Sequence, residues 1–290
     1  MFSEREATTH KIPAKVVPRP EIVGSLHDEQ MARALGYPAA LVPGIDVYAY
    51  LARLTLASWG ADWLTRGVLQ SSSLRPVYDG EELVVHAGRV ERTDQGRSVE
   101  LAVYNAAGTL VASASASLGT HTPPAPDLAT FPILARPVPV PPGDPASMRV
   151  GMRFSCVAAR VSAEANARIV AEFLETSPTY VEEGIVHPAF LQRLALKNAH
   201  ASFAHGTPPI YIATRGQHFS PARVGDVLEV SGAVTKLWER KGHHYMDSEQ
   251  LVVANRERAV MLIHRTTIYQ ARQAGNDHKP GAEAVQGAAQ

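Results

Sequence analysis

The chain repeats itself. The segment LRPVYDGEELVV, starting at Leu74, and the segment FSPARVGDVLEV, starting at Phe219, set Pro76 against Pro221, Gly80 against Gly225 and Glu81 against Asp226 at one offset of 145 residues (221 − 76). Further along, the hairpin tips Asp94-Gln95-Gly96 and Arg240-Lys241-Gly242 correspond, as do VYNAAGTLV and VVANRERAV, each a polar turn between period-two runs. In both copies the order of features is an apolar helix, the Pro-Gly-acid segment, a hairpin and two more strands. The chain is therefore expected to build one architectural unit twice.

Nine of the 21 prolines fall between His121 and Pro145. Each removes a backbone donor and stiffens an extended path. The expected organisation is an N-terminal unit at 1–120, a proline-rich linker at 121–147, a C-terminal unit at 148–271 and a disordered tail at 272–290. Leu101 and Val103, then Leu110, Ala112, Ala114 and Ala116, alternate with polar or small neighbours and mark strands with one buried face. The run GIDVYAYLARLTLASWG, from Gly44 to Gly60, carries only Asp46 and Arg53 as charges and ends at a glycine, which predicts a helix that needs cover on every side. A curved antiparallel sheet wrapped around one such helix supplies that cover, in an α+β fold.

Charge narrows the partners. Lys+Arg and Asp+Glu both number 28, so no basic field is available for phosphate backbones or anionic lipids, and neither nucleic acid nor a membrane is expected as a partner. No apolar stretch approaches the length of a membrane span, and the N-terminus is charged where a secretion signal would be apolar, which argues for a cytoplasmic protein. The single Cys156, within the strand-like FSCVAARV, excludes an internal disulfide and reads as a small buried hydrophobe. No cofactor and no metal are expected.

At this point the residues resemble a family, the MaoC-like hydratases and dehydratases of the hotdog fold, and among them the double hotdog proteins. Asp28, Ala32, Gly36, Tyr37, Val42 and Gly44 fit the later positions of that family's D-x-N-P-x-H-x-D…A-x-x-x-G-[FY]…A-H-G-M pattern. In the second half, ETSPTYVEEGIVHPAFLQRL sets Glu175 at the motif Asp, Ser177-Pro178 at Asn-Pro, Tyr180 at the His and His187-Pro188 at the helix start. In the first half Glu21 falls at the motif Asp, and Leu26 stands at the His, with His27 one residue out. The resemblance implies a double hotdog acting on an acyl-CoA or acyl-carrier-protein thioester, by adding water to an enoyl group or removing it from a 3-hydroxyacyl group. A hotdog thioesterase, or a degenerate hotdog that binds such a thioester or a partner without chemistry, are the alternatives. Pairing into a homodimer is left open.

The chemistry needs a base for water, an acid for the α carbon and donors for the thioester oxygen. Amides at a helix start are free donors at the positive end of the helix dipole. Pro43-Gly44 suits such a start, since Pro43 gives up a spare donor and Gly44 lets a carbonyl come close, whereas Pro188 has no N–H. The candidate catalytic residues are Glu21, His27 and the Gly44 amide, with Glu175, Tyr180 and His187 as the equivalent set in the second half. Val42, Pro43, Ile45 and Asp46 are expected to line the substrate cleft. Other readings compete: Ser25 and Asp28 form a capping box, Tyr180 is a core aromatic with its hydroxyl bonded, and His187 caps the helix behind it.

Overall fold

The computed structural model describes residues 1–206 and 209–272. Its eleven strands form a single antiparallel sheet. The first half contributes β1 (Thr8–Pro13), β2 (Gly67–Ser73), β3 (Glu82–Ala87), β4 (Glu91–Thr93), β5 (Gly96–Tyr104) and β6 (Leu110–Gly119). The second contributes β7 (Val157–Arg160), β8 (Ile210–His218), β9 (Val227–Arg240), β10 (His243–Ala254) and β11 (Arg258–Gln270). The strand order is β1-β3-β5-β6-β2-β8-β11-β10-β9-β7, with β4 pairing β5 off this path. Read outward from the middle, the two wings have the same order of equivalent strands, so the repeat in the sequence is a repeat in topology.

The repeat holds at the level of single bonds. The Tyr78 amide donates to Glu81 Oε2 at 3.0 Å, and the Arg223 amide donates to Asp226 Oδ2 at 2.9 Å. Both acids thus close the same tight turn, where Gly80 (φ 83°) and Gly225 (φ 94°) occupy the left-handed region that disfavours a side chain. Val42 donates to the Val77 carbonyl at 2.8 Å and Val186 to the Ala222 carbonyl at 2.9 Å, fixing how each long helix begins. The halves meet at β2 and β8, where Gln70 pairs with Arg215, its own counterpart in the repeat. A pseudo-twofold axis therefore passes between these two residues.

The helices are α1 (Glu29–Ala34), α2 (Gly44–Trp59), α3 (Trp63–Arg66), α4 (Ala163–Glu172), α5 (Thr179–Glu182) and α6 (Pro188–Ser202). Every residue of α2 from Ile45 to Ala52 is buried, as its apolar sequence requires, and it ends at Gly60 with φ 66°. The other long helix, α6, lies against it, and one hydrophobic cluster runs from Ile12 through Leu51 and Leu101 to Leu191 and Val230, across both halves. On β6 Val111 points inward in place of Leu110, because the pairing with β5 shifts between Val103 and Tyr104 and a bulge changes which residue faces the core. Helix α4 stops at Glu172. Cys156 is half-buried, just before β7.

The proline-rich segment is more than a spacer. Ser231 Oγ donates to the Phe131 carbonyl, Cys156 donates to the Leu134 carbonyl, and Leu128 and Phe131 pack on a patch of Leu251, Val253 and Ala259. It lies along the second half of the sheet. Of the tail expected from Arg272 onward, Arg272 itself is held through its amide by His243 Nδ1 at 3.0 Å. Residues 273–290 lie outside the described residues.

Candidate active site

Helix α4 is followed by Leu174 at φ 53°, a left-handed conformation that costs a leucine on the order of 1 kcal/mol or more. That turn sends Glu175 away from the helix axis and under the start of α6. There Glu175 Oε2 lies 3.4 Å from His187 Nε2, with the two side chains 1% and 0% exposed. Glu175 Oε1 accepts from the amides of Thr176 at 2.7 Å and Ser177 at 2.8 Å. His187 is the N-cap of α6, and its Nδ1 accepts from the Ala189 amide at 3.1 Å. With Nδ1 an acceptor, the neutral ring carries its proton on Nε2, facing the carboxylate. Phe173 stacks on the ring at 4.9 Å and Tyr180 leans on it at 4.6 Å.

Burial by itself would push the Glu175 carboxyl up, but the His187 ring and the two amides outweigh it and hold the group below its ordinary value. Burial pushes His187 down, against the pull of the carboxylate. The resting pair is thus a carboxylate facing a neutral imidazole. Burial, with the nearby carboxylate, raises the Tyr180 phenol, and its hydroxyl lacks a hydrogen-bond partner instead of being tied off as expected.

A cleft of about 440 Å³ opens beside Glu175. Its walls come from both halves: Ile12, Pro13, Lys15, Tyr50 and Arg53 on one side, and Ala171, Leu174, Glu175 and Thr176 on the other. Tyr50 Oη is hydrogen-bonded to both the amide and the carbonyl of Lys15 at 3.2 Å, which ties that wall to α2. Arg53 Nη1 donates to the Leu174 carbonyl at 3.0 Å, so a first-half side chain holds the strained residue that aims Glu175.

The first-half candidates are not assembled in this way. Glu21 is half-exposed and its Oε1 sits 3.5 Å from Lys197 Nζ, while the half-buried His27 directs Nδ1 to the Leu41 carbonyl at 2.7 Å. Burial lowers the His27 imidazole and that carbonyl partly restores it. The two side chains serve different partners. Asp28 caps its helix as the sequence suggests, but as the N-cap itself, accepting from Gln30 and Met31, while Ser25 Oγ donates to the Ile22 carbonyl.

At the start of α2, Pro43 is the N-cap and its carbonyl accepts from Asp46 and Val47. A side chain on Gly44 would come within 2.5 Å of Cδ1 of Tyr211. A ring of the second half fills the space on the side-chain side of Gly44, so packing between the halves demands the glycine. Val42 and Ile45 are core residues. Asp46 is buried and bonded by Arg19 Nη2 at 3.2 Å, with Arg193 Nη2 at 3.9 Å, and Arg193 in turn reaches Glu172 at 2.5 Å. Burial raises the Asp46 carboxyl and the two guanidinium groups oppose that. Its place is an interhelical ion network.

Sequence reasoning missed Lys15, Tyr50 and Arg53 as cleft residues. For Arg53 a signal existed: a lone cation on an apolar helix must find a polar partner or solvent. Among the described residues no cluster of three or more His, Cys, Asp or Glu side chains is arranged to hold a metal ion.

This architecture, two long helices wrapped by one continuous sheet with a pseudo-twofold at its centre, is the double hotdog fold. No protein-family model and no curated protein matches the chain. Among solved structures it is similar to a putative MaoC domain protein dehydratase from Chloroflexus aurantiacus, at 14% identity and a TM-score of 0.63, covering 94% of this chain and 96% of that one. It is also similar to a conserved hypothetical Mycobacterium tuberculosis protein described as a double hotdog, at 15% identity and a TM-score of 0.58, covering 91% and 96%. A third likeness is a putative oleoyl thioesterase from Lactobacillus plantarum, at 8% identity and a TM-score of 0.53, covering 92% and 97%. These likenesses establish the fold, and each covers more than 90% of the chain.

Proposed function

We propose that the protein is an acyl-thioester hydratase or dehydratase whose working group is Glu175, in the cleft between the halves. The observation that carries this reading is the buried Glu175–His187 pair beside an open cleft, with Glu175, and not His187, among the residues of the cleft wall. His187 Nδ1 accepts from the Ala189 amide, and Nε2 lies 3.4 Å from Glu175 Oε2, deeper than the cleft wall. The imidazole therefore positions, and the carboxylate is the base.

For a 3-hydroxyacyl thioester, Glu175 takes the α proton as the thioester enolate forms. The resulting carboxylic acid returns that proton to the departing hydroxyl, so that C–H and C–O break, the double bond forms and water leaves. Hydration is the reverse, and one carboxyl group acts as base and then as acid. Names of the fold's neighbours include dehydratases and thioesterases. We favour water addition or removal because one carboxyl group, working first as base and then as acid, meets both proton demands of that reaction.

A second reading, an acyl-thioester binder without chemistry, draws on Pro188, which lacks the amide that a helix-start oxyanion site would use. Enoyl-CoA substrates of graded chain length, followed at the enoyl chromophore and for free thiol, separate the readings. Turnover at the chromophore without thiol release is expected, and Glu175→Gln should lower kcat by about 10² to 10⁴ fold. The pH profile should fall on the acid side through the lowered Glu175 value, because the base works only while ionised. Thiol release would make it a thioesterase, and binding without turnover a non-catalytic hotdog.

A further inference from the structure

The buried pair has used up the backbone donors around it. Pro188 has no N–H, the Ala189 amide is spent on His187 Nδ1, and the Thr176 and Ser177 amides are spent on Glu175 Oε1. The Phe190 amide turns back to the His187 carbonyl. A thioester that loses its α proton to Glu175 develops negative charge on its oxygen, and an enolate without a donor does not form at a useful rate. The start of α2, where free amides were expected, contributes no residue to the wall of this cleft.

We propose that Arg53, from the first half, is the electrophile that holds the thioester oxygen in this cleft. The assignment rests on the hydratase or dehydratase reading above. Arg53 lines the same cleft as Glu175 and is anchored by a hydrogen bond from Nη1 to the Leu174 carbonyl at 3.0 Å, one residue before the base. A guanidinium has five N–H donors in a rigid fork, so the remaining donors can face an incoming oxygen while the anchor is kept. Arg53 is also close enough to act electrostatically on His187. Lys15, the other cation of the cleft, is exposed on a flexible stem and suits the rim. The two halves thus divide the labour: the second supplies the base and the first supplies the charge that receives the electrons. The α C–H bond breaks toward Glu175 while its electron pair moves into the enolate, whose oxygen lies against the Arg53 guanidinium.

The test compares wild type, Arg53→Gln, Arg53→Lys and Glu175→Gln in two assays on acyl-CoA. One is enoyl-CoA hydration, and the other is exchange of the α proton of a saturated acyl-CoA in D₂O, which needs the base and the oxygen site but no water addition. Arg53→Gln should lower both rates by about 10² to 10³ fold with KM changed far less. Arg53→Lys, which keeps a charge and can keep the bond to Leu174, should recover part of the loss, as should guanidinium ion added to Arg53→Ala. A thermal melt of each variant separates misfolding from lost chemistry. Wild-type activity that needs Glu175 yet survives Arg53→Gln within about threefold overturns this assignment alone. A wild type inert in both assays overturns the reading of the reaction, and this assignment with it.

Discussion

Two buried residues of similar standing in the sequence have opposite roles in the fold. Glu175 follows the turn after α4 and stands at the wall of a cleft, whereas Asp46 starts a helix and is enclosed by Arg19 and Arg193. The difference is the partner each carboxylate meets, an imidazole in one case and two guanidinium groups in the other, which no local pattern encodes. Histidines divide in the same manner. His218 is buried against Trp63 with ring centroids 4.7 Å apart, its Nε2 has no hydrogen-bond partner, and burial drives its pKa down to about 3. An unfolded imidazole titrates near ~6.5. Below that pH the unfolded chain binds a proton that the native ring refuses, so stability falls as pH drops from about 6.5 toward 3, by up to about 1.4 kcal/mol per pH unit. His218→Phe should flatten the slope of unfolding free energy against pH between about 6 and 4, measured by denaturant titration. An unchanged slope would mean that the acid sensitivity lies in other groups.

At the scale of elements, the start of α2 is set by a contact between the halves. The sequence marks Gly44 as special, and the structure gives the reason as the Tyr211 ring of β8. Gly44→Val is therefore expected to destabilise the protein by about 1–3 kcal/mol through overpacking. Tyr211→Ala, although itself destabilising, should reduce the added cost of the valine when the two are combined. A double-mutant cycle reads this coupling, and additive effects would show that Tyr211 is not what the glycine accommodates. The α4 end supplies a second example, because Leu174 in the left-handed region is held by a bond from Arg53 on another element. Local propensity gives no reason to stop a helix at Glu172 and turn there. A distant donor does.

For the whole molecule, β2 and β8 join the two wings into one sheet, and a single apolar cluster crosses the same joint. Unfolding should accordingly be one cooperative transition, with circular dichroism and tryptophan fluorescence reporting the same midpoint. Trp59 and Trp63 report on the first half and Trp238 on the second, so two separated transitions would show that the halves are independent. The sequence by itself determined the duplication, the class of fold, the turn at each Pro-Gly-acid segment and the extent of α2. All of these follow from short-range periodicity and turn chemistry, which a linear pattern carries in full. It also brought Glu175, Tyr180 and His187 forward as one set, since they lie within thirteen consecutive residues of the chain. What only the tertiary structure decided is which residues of the two halves come together at the cleft. Arg53 and Glu175 are 122 positions apart in the chain (175 − 53) and meet because two helices and a strained turn fold against one another. Tyr211 closes the Gly44 site for the same reason. Burial, orientation and the field of distant charges arise only when the chain is compact, so the make-up of the cleft is a property of the packing of the halves and not of either repeat.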